Sequence, residues 1–459
     1  MKPYRSINPT TGSVEAEYPP MARGEIARAV AGADAGYRTW SSRGIDDRSR
    51  VLSAVARTIR TRGDDLAALA TREMGKTVRE ARGEVELVAR IFDYYASQGP
   101  RLLEPEHLQP ASGDDAKVIL QPVGVLLGIM PWNYPYYQIA RFAAPNILLG
   151  NSILLKHARN VPQCALAFEQ VLHDAGVPRD VYVNLFADTA DIESIIADPR
   201  VQGVSLTGSE AAGAVVAEAA GRHLTKVVLE LGGSDPFLVL DDADLDATVT
   251  CAVTGRITNA GQACTAAKRF IVLDRYFDDF VDRYARRCAE LTIGDPARPD
   301  TELGPMSSEQ ALAEVHELVD DAVSHGAVAV CGGRRSDREG AFYEPTLLTG
   351  VDDRMRVHTE EVFGPVAVAY RVASIDEAVA LANQSPYGLG AAVFTSNTDL
   401  AEDVAARLDV GMVTINGTNK SQPDLPFGGI KRSGVGRELG RFGLEEFANR
   451  KLIRKAAAA

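Results

Sequence analysis

The sequence predicts an α/β protein built on a parallel, doubly wound sheet. Three observations carry that expectation. From Gly124 onward, apolar runs alternate with stretches of helical spacing, the pattern of strands crossed by helices. The runs are short and apolar, which reads as buried strands. At 459 residues and 46% hydrophobic, the chain has material for a large core over two or three domains.

The elements follow in order. Residues from about Ala22 to Gln98 form a helical front section, rich in Ala, Arg, Glu and Leu, with Arg48, Val51, Leu52, Val55, Ile59, Leu66 and Leu69 at helical spacing. Gly124 to Met130, Ser152 to Lys156, Val181 to Leu185, Val201 to Leu206 and Lys226 to Leu231 are expected strands. Tyr137–Leu149, Pro162–Ala175, Ala190–Ala197 and Glu210–Ala219 are the helices between them. A second α/β series begins after Gly233, with strands at Pro236–Leu240, Lys268–Leu273, Val328–Val330, Val366–Tyr370, Ala391–Phe394 and Gly411–Ile415. A Gly/Pro-rich segment, Pro426 to Gly440, precedes an amphipathic C-terminal stretch.

A formal net charge of -13 argues against a nucleic-acid or anionic-membrane surface. Cys164, Cys251, Cys264, Cys288 and Cys331 are scattered, odd in number and form no C-x-x-C pair. That suits a reducing cytoplasm and points to no metal site. The first residues are polar and lack the apolar core of a signal peptide, and no run is long enough to span a bilayer.

Asn259-Ala-Gly-Gln-Ala-Cys264-Thr presents one cysteine among small residues that leave room for a substrate. A lone cysteine also reads as a small buried hydrophobe, and the other four fit that description. Glu230 ends an apolar strand before Gly232 and Gly233. It reads either as a salt-bridged strand terminus or as a general base raised by desolvation. Ligands of open α/β sheets sit at the carboxyl ends of strands, where Glu230 falls.

Pro131-Trp132-Asn133-Tyr134-Pro135 is a rigid loop after another strand. Asn133 offers an N–H to an oxyanion, or caps the next helix. Thr207-Gly208-Ser209, with Gly213 further on, joins a strand to a helix and lets a nucleotide approach the helix N-terminus, though no G-x-G-x-x-G is present. Lys156-His-Ala-Arg159 closes the second strand, where a carboxylate would accept from an adenosine ribose and an arginine would suit a 2′-phosphate. The alternative is a solvated basic turn.

Together these motifs resemble the aldehyde dehydrogenase superfamily over nearly the whole chain: PWNYP, LTGS, ELGG, GQAC and EEVFGP, in that order. Finer stretches such as LLKHARNVPQCAL and PFGGIKRSGVGRELG are similar to its succinate-semialdehyde dehydrogenase branch. The resemblance implies an aldehyde dehydrogenase-like α/β fold. A Rossmann-type cofactor domain would span 1–103 and 123–232, and an α/β catalytic domain 233–429. A small β oligomerisation element would combine 104–122, with a hairpin, and 430–459, giving a dimer or tetramer.

The resemblance also assigns roles. Cys264 would be the nucleophile, Asn133 and the Cys264 N–H the oxyanion donors, and Glu230 the base that activates water on the thioester. Trp132, Lys156, Thr207, Gly208, Ser209, Gly213, Leu231, Glu361 and Phe363 would bind the cofactor, and Glu438 would relay protons from Glu230. Arg159 stands where many NAD-linked relatives have glutamate, which favours NADP over NAD. Arg141 matches one of two carboxylate-binding arginines of the branch; the second position is Thr258. Lys420 and Ser421 are candidate substitutes, while Arg256 lies nearby. Phe142 replaces a relay lysine of many relatives.

The reading is therefore NADP-preferring oxidation of succinate semialdehyde to succinate. Its competitors are another carboxylate-ended or aliphatic aldehyde such as glutarate semialdehyde, a CoA-acylating dehydrogenase, which Glu230 argues against, and a non-enzymatic structural protein.

Overall fold

A computed structural model describes residues 2–456; Met1 and residues 457–459 of the expected outer segments lie outside the described residues. Two parallel-dominated sheets form its centre. The first has six strands, ordered Gly434–Val435, Lys226–Glu230, Val201–Thr207, Val125–Met130, Ser152–His157 and Tyr182–Asn184. All but Gly434–Val435 run parallel. The second has seven strands, ordered Val328–Cys331, Thr346–Thr349, Val366–Val372, Ala267–Leu273, Asp235–Val239, Gly390–Phe394 and Met412–Ile415. Here only the pairing of Val328–Cys331 is antiparallel.

The front section is four helices, Arg23–Ser41, Ile45–Thr61, Gly63–Met74 and Val78–Leu102. The last three share one large core with the helix Tyr137–Leu149 that includes Leu52, Ile91 and Phe142, and Trp40 of the first helix reaches it; Ile26, Val30 and Ala33 of that first helix pack on the first sheet instead. The expected helices Ala190–Ala197 and Glu210–Ala219 appear as a 3₁₀ turn plus Ile192–Ile196 and as Glu210–Arg222. Among the described residues, six strands were not expected: Thr346–Thr349, the pair Tyr4–Ile7 and Val14–Tyr18, and the two-residue strands Tyr387–Gly388, Ile430–Lys431 and Gly434–Val435. The first is a four-residue run, and Val14–Tyr18 carries no buried residue, so neither shows a strand period.

The hairpin of the small β element is present as Glu106–Leu108 and Asp115–Pro122, and Ala448–Lys455 pairs along the full length of the longer strand. The segment after residue 430 also meets the first sheet and its helices. Gly434–Val435 pairs with Leu229 and Glu230 in the first sheet, and the helix Gly440–Glu446 packs on Tyr137–Leu149. Gly434–Val435 can join the first sheet because Gly434 has φ 134° and no side chain to meet the Leu229 carbonyl, while Ile430–Lys431 pairs with Tyr387–Gly388 in a separate two-stranded sheet.

Candidate active site

The strand ends of both sheets face one cleft of about 250 Å³, and Cys264, Glu230 and Asn133 all line it. They come from two loops and the end of a strand. Each is held by bonds that the chain makes only when folded.

The cysteine follows a strained turn. Asn259, Ala260 and Gly261 all have positive φ, at 55°, 52° and 72°. Two of these are non-glycine residues in a region L-residues avoid, so the turn must be over-determined. It is. Glu80 accepts from the Asn259 N–H at 2.7 Å, and the Asn259 amide donates to the Asn133 carbonyl at 2.8 Å and the Gln262 carbonyl at 3.1 Å. Gln262 in turn accepts from the Ser307 N–H at 2.9 Å. Arg256 is fully buried and donates to the carbonyls of Gly261 at 2.5 Å and Gly364 at 2.7 Å. It braces the turn and does not reach a substrate.

Burial pushes the Cys264 thiol up to about 12, against the opposing pull of Arg141 and Lys268. The resting sulfur is protonated at neutral pH. The Asn133 amide donates one N–H to the Gln262 carbonyl at 3.0 Å, which points the group at the cysteine loop and leaves its second N–H for a ligand. Its loop is pinned from below. His157 Nε2 donates to the Pro135 carbonyl at 2.8 Å and its Nδ1 accepts from the Ala158 N–H at 2.8 Å; burial pushes this histidine down to about 4, so it stays neutral. Glu84, ion-paired to Lys76, accepts from the N–H groups of Tyr136 at 2.8 Å and Tyr137 at 2.9 Å, capping the helix Tyr137–Leu149.

Glu230 is the last residue of its strand, 2% exposed, and neither carboxylate oxygen has a hydrogen-bond partner among the described residues. Burial raises its pKa well above the ordinary carboxylate value, with Arg141 opposing. It is no salt-bridged terminus. A proton acceptor of raised pKa beside a protonated thiol is what acid–base work requires. Gly428 makes room for it: a Cβ there would stand 2.6 Å from Glu230 Oε1.

The cofactor candidates separate into two groups. Trp132, Thr207, Gly208, Ser209, Leu231, Glu361 and Phe363 line the same cleft as the cysteine. Trp132 and Phe363 stand edge to face with centroids 5.8 Å apart. Lys156 lines a second cavity of about 560 Å³ along the helix Glu210–Arg222, walled by Ile129, Leu206, Val215 and Val216. Leu206 borders this cavity and its neighbours Thr207 to Ser209 border the cleft. A flat apolar slot, a helix N-terminus and an acid-facing cleft in sequence fit a dinucleotide. Burial, then Arg159, pushes Lys156 down to about 8.

Two cofactor expectations change. Gly213 lines neither cavity. It lets the helix Glu210–Arg222 pack on Leu231, whose side chain a Cβ would meet at 2.7 Å. Arg159 is not a free cation: it is ion-paired to Asp188 at 2.9 Å, donates to the Lys2 carbonyl, and lies over the Tyr4 ring at 5.0 Å.

The substrate expectations change more. Arg141 is no open clamp. Its side chain is fully buried, ion-paired to Glu438, bonded to Thr207 Oγ1 at 3.1 Å and stacked 4.3 Å from the Phe427 ring. Ser205 donates to Glu438 at 3.2 Å, so Glu438 anchors Arg141 from a position outside the cleft lining. The Thr258 hydroxyl donates to the Thr254 carbonyl at 2.7 Å and is spent within its helix. Lys420 and Ser421 line a separate cavity of about 240 Å³ beside Phe427. Tyr137 donates to Ser421 at 2.6 Å.

Sequence reasoning missed Glu80, Glu84, Lys76, His157 and Lys268. Buried charge on an otherwise apolar strand, as at Lys268, was the available signal; the others show only through partners distant in the chain.

A profile described as the Aldehyde dehydrogenase family matches residues 1–453, and the chain belongs to that family. It is therefore an oxidoreductase. The chain is 55% identical over 453 residues to the NADP(+) succinate-semialdehyde dehydrogenase of Deinococcus radiodurans, covering 99% of this chain and 95% of that one. It is 45% identical over 453 residues to NADP(+) succinate-semialdehyde dehydrogenase 1 of Mycobacterium tuberculosis, covering 98% and 99%. The crystal structure of succinic semialdehyde dehydrogenase from Streptococcus pyogenes in complex with NADP+ superposes with a TM-score of 0.97 at 42% identity, covering 99% of this chain and 100% of that chain.

Proposed function

We propose that this enzyme oxidises succinate semialdehyde to succinate with NADP. The observation that carries the chemistry is the meeting of Cys264, unpartnered Glu230 and Asn133 in one cleft. Similarity to NADP-dependent succinate-semialdehyde dehydrogenases supports the substrate and cofactor.

Cys264 Sγ attacks the aldehyde carbon. Its proton has to leave first, and Glu230 is the acceptor in the same cleft. The free N–H of Asn133 and the backbone N–H of Cys264 meet the oxyanion of the thiohemiacetal. NADP, when bound, supplies the hydride acceptor. Trp132, Phe363 and Glu361 border the place where its nicotinamide end belongs, and Lys156 faces the adenosine end. Glu230 gives the thiol proton up to solvent and then takes a proton from the water that attacks the Cys264 thioester, and the Cys264 thiolate leaves as succinate forms.

The substrate carboxylate points toward the Tyr137–Ser421 pair, with Lys420 as the nearby cation, since Arg141 is committed to Glu438. The enzyme works as a cytoplasmic homo-oligomer. Ala448–Lys455 ends its sheet with Leu452 exposed, and such an edge seeks a partner.

The test is a rate survey of the purified enzyme. Succinate semialdehyde, glutarate semialdehyde and carboxylate-free aldehydes of equal length are each paired with NADP and NAD, with and without CoA. The highest kcat/KM belongs to succinate semialdehyde with NADP, without need of CoA, and Cys264→Ala makes no product. A higher value for an uncharged aldehyde overturns the substrate; a higher value with NAD overturns the cofactor.

A further inference from the structure

The second sheet carries a buried lysine to which the proposed reaction gives no role. Lys268 lies in the strand Ala267–Leu273, four residues after Cys264, and its side chain is 2% exposed. Its Nζ donates to the carbonyls of Cys264 at 2.9 Å and Ala263 at 3.2 Å, and stands 3.2 Å from Glu361 Oε1. An ammonium has three donors, and these partners occupy all three. The same Glu361 oxygen accepts from the Gly233 N–H at 3.0 Å. One side chain therefore bridges the peptide unit of the nucleophile to a carboxylate of the cleft wall.

We propose that Lys268 is a positioning residue that couples Glu361 to Cys264. It holds the two carbonyls that orient the sulfur, and its charge is felt at the sulfur to the extent that Glu361 does not neutralise it. The inference rests on the proposed roles of Cys264 as nucleophile and Glu361 as a cofactor contact.

The electrostatics have definite signs. Arg141, from the helix Tyr137–Leu149, and Lys268 favour the thiolate; Glu361 and Asp235 disfavour it. Glu230 shares the cleft, and the buried phenols of Tyr134 and Tyr137 also face the sulfur. Among the two cations, Arg141 is tied to Glu438, which lines no part of the cleft. Lys268 is tied to Glu361, which does line it and is 18% exposed. A hydroxyl donated to Glu361 by a bound ribose draws carboxylate charge away from the ammonium. The field of Lys268 at the sulfur then strengthens, so the thiolate forms when the cofactor is present. The tether keeps the nucleophile quiet until then.

The experiment reads the thiol directly. Full-length enzyme is alkylated with iodoacetamide across a pH series, and modification of Cys264 is followed by peptide mass. Below the thiol pKa, a shift of one unit changes the rate about tenfold. Lys268→Met alkylates Cys264 about tenfold more slowly than wild type. Glu361→Gln alkylates faster, because it removes the opposing charge, and Lys268→Arg stays near wild type. Saturating NADP speeds alkylation in wild type and not in Lys268→Met. Non-specific damage moves both variants the same way, so shifts of equal sign overturn the proposal. Superimposable wild-type and Lys268→Met profiles overturn it as well. Should Lys268→Met fail to fold, Glu361→Gln decides: no acceleration sinks the coupling. Failure of the catalytic reading looks different, as alkylation of Cys264 would then leave turnover intact.

Discussion

Glu230 keeps both carboxylate oxygens free of hydrogen-bond partners among the described residues, which an ordinary buried carboxylate does not do. In the proposed reaction this group takes up a proton twice, and free oxygens serve that role. Replacing it with glutamine preserves the shape and removes the basicity. Glu230→Gln is expected to release at most one equivalent of NADPH per site and then stall at the thioester. Rapid-mixing absorbance measures this, and full steady turnover would contradict the assigned role. Lys156 gives the pH dependence. Its folded value, pushed by burial from 10.5 to about 8, lies below the unfolded one. The charged form therefore costs stability below that value, and the cost is gone above the ordinary lysine range. For binding, the sign is set by the ammonium. NADP affinity is expected to fall as pH rises through about 8, with less change for NAD, which lacks the 2′-phosphate. Fluorescence titration through that window tests it, and Lys156→Arg is expected to abolish the break.

At the scale of elements, the cysteine turn and the glycine segment Phe427–Gly429 have the same design problem. Both bring backbone close to a reacting group, and both use conformations that a free peptide avoids. Gly428 has φ 145° and lies against the Glu230 carboxylate. Gly428→Ala is expected to cost about 1–3 kcal/mol in backbone strain and displacement. Hydrolysis of the thioester slows more than its formation, so the burst survives while steady turnover falls. Equal loss of both phases in stopped-flow would refute this. Legibility also varied by element. The helix Tyr137–Leu149 matches its expected bounds because thirteen consecutive residues are buried and Gly150 ends it in a left-handed cap. Thr346–Thr349 was not legible, since Thr-Leu-Leu-Thr holds only two apolar residues and has no period to read.

For the whole molecule, the C-terminal strand is the joint between one subunit and its expected partner. Ala448–Lys455 pairs with Asp115–Pro122 at eight positions and presents its other edge unpaired. Removing residues 448–459 is expected to leave the cleft residues in place and to yield a monomer of lower melting temperature. Light scattering coupled to size exclusion measures the assembly; an unchanged oligomer would show that this edge is not the contact. The net charge of -13 has its exception at Lys156 and Arg159, where two cations stand together with Asp188 beside them. An acidic protein can admit an anionic cofactor because charge acts locally, within about a Debye length.

What the sequence determined by itself was the alternation of strands and helices, the reactive residue types and their order: Asn133 follows an apolar run, Glu230 ends one and Cys264 sits among small residues, and periodicity is local information. The tertiary structure alone decided which charges are free. Arg141 and Arg159 read as open cations until Glu438 and Asp188, from other segments, take them up, and Lys268 gains a role only through Glu361. Ion pairs and burial depend on distance in space, and residues far apart in the chain carry no mark of whom they will meet.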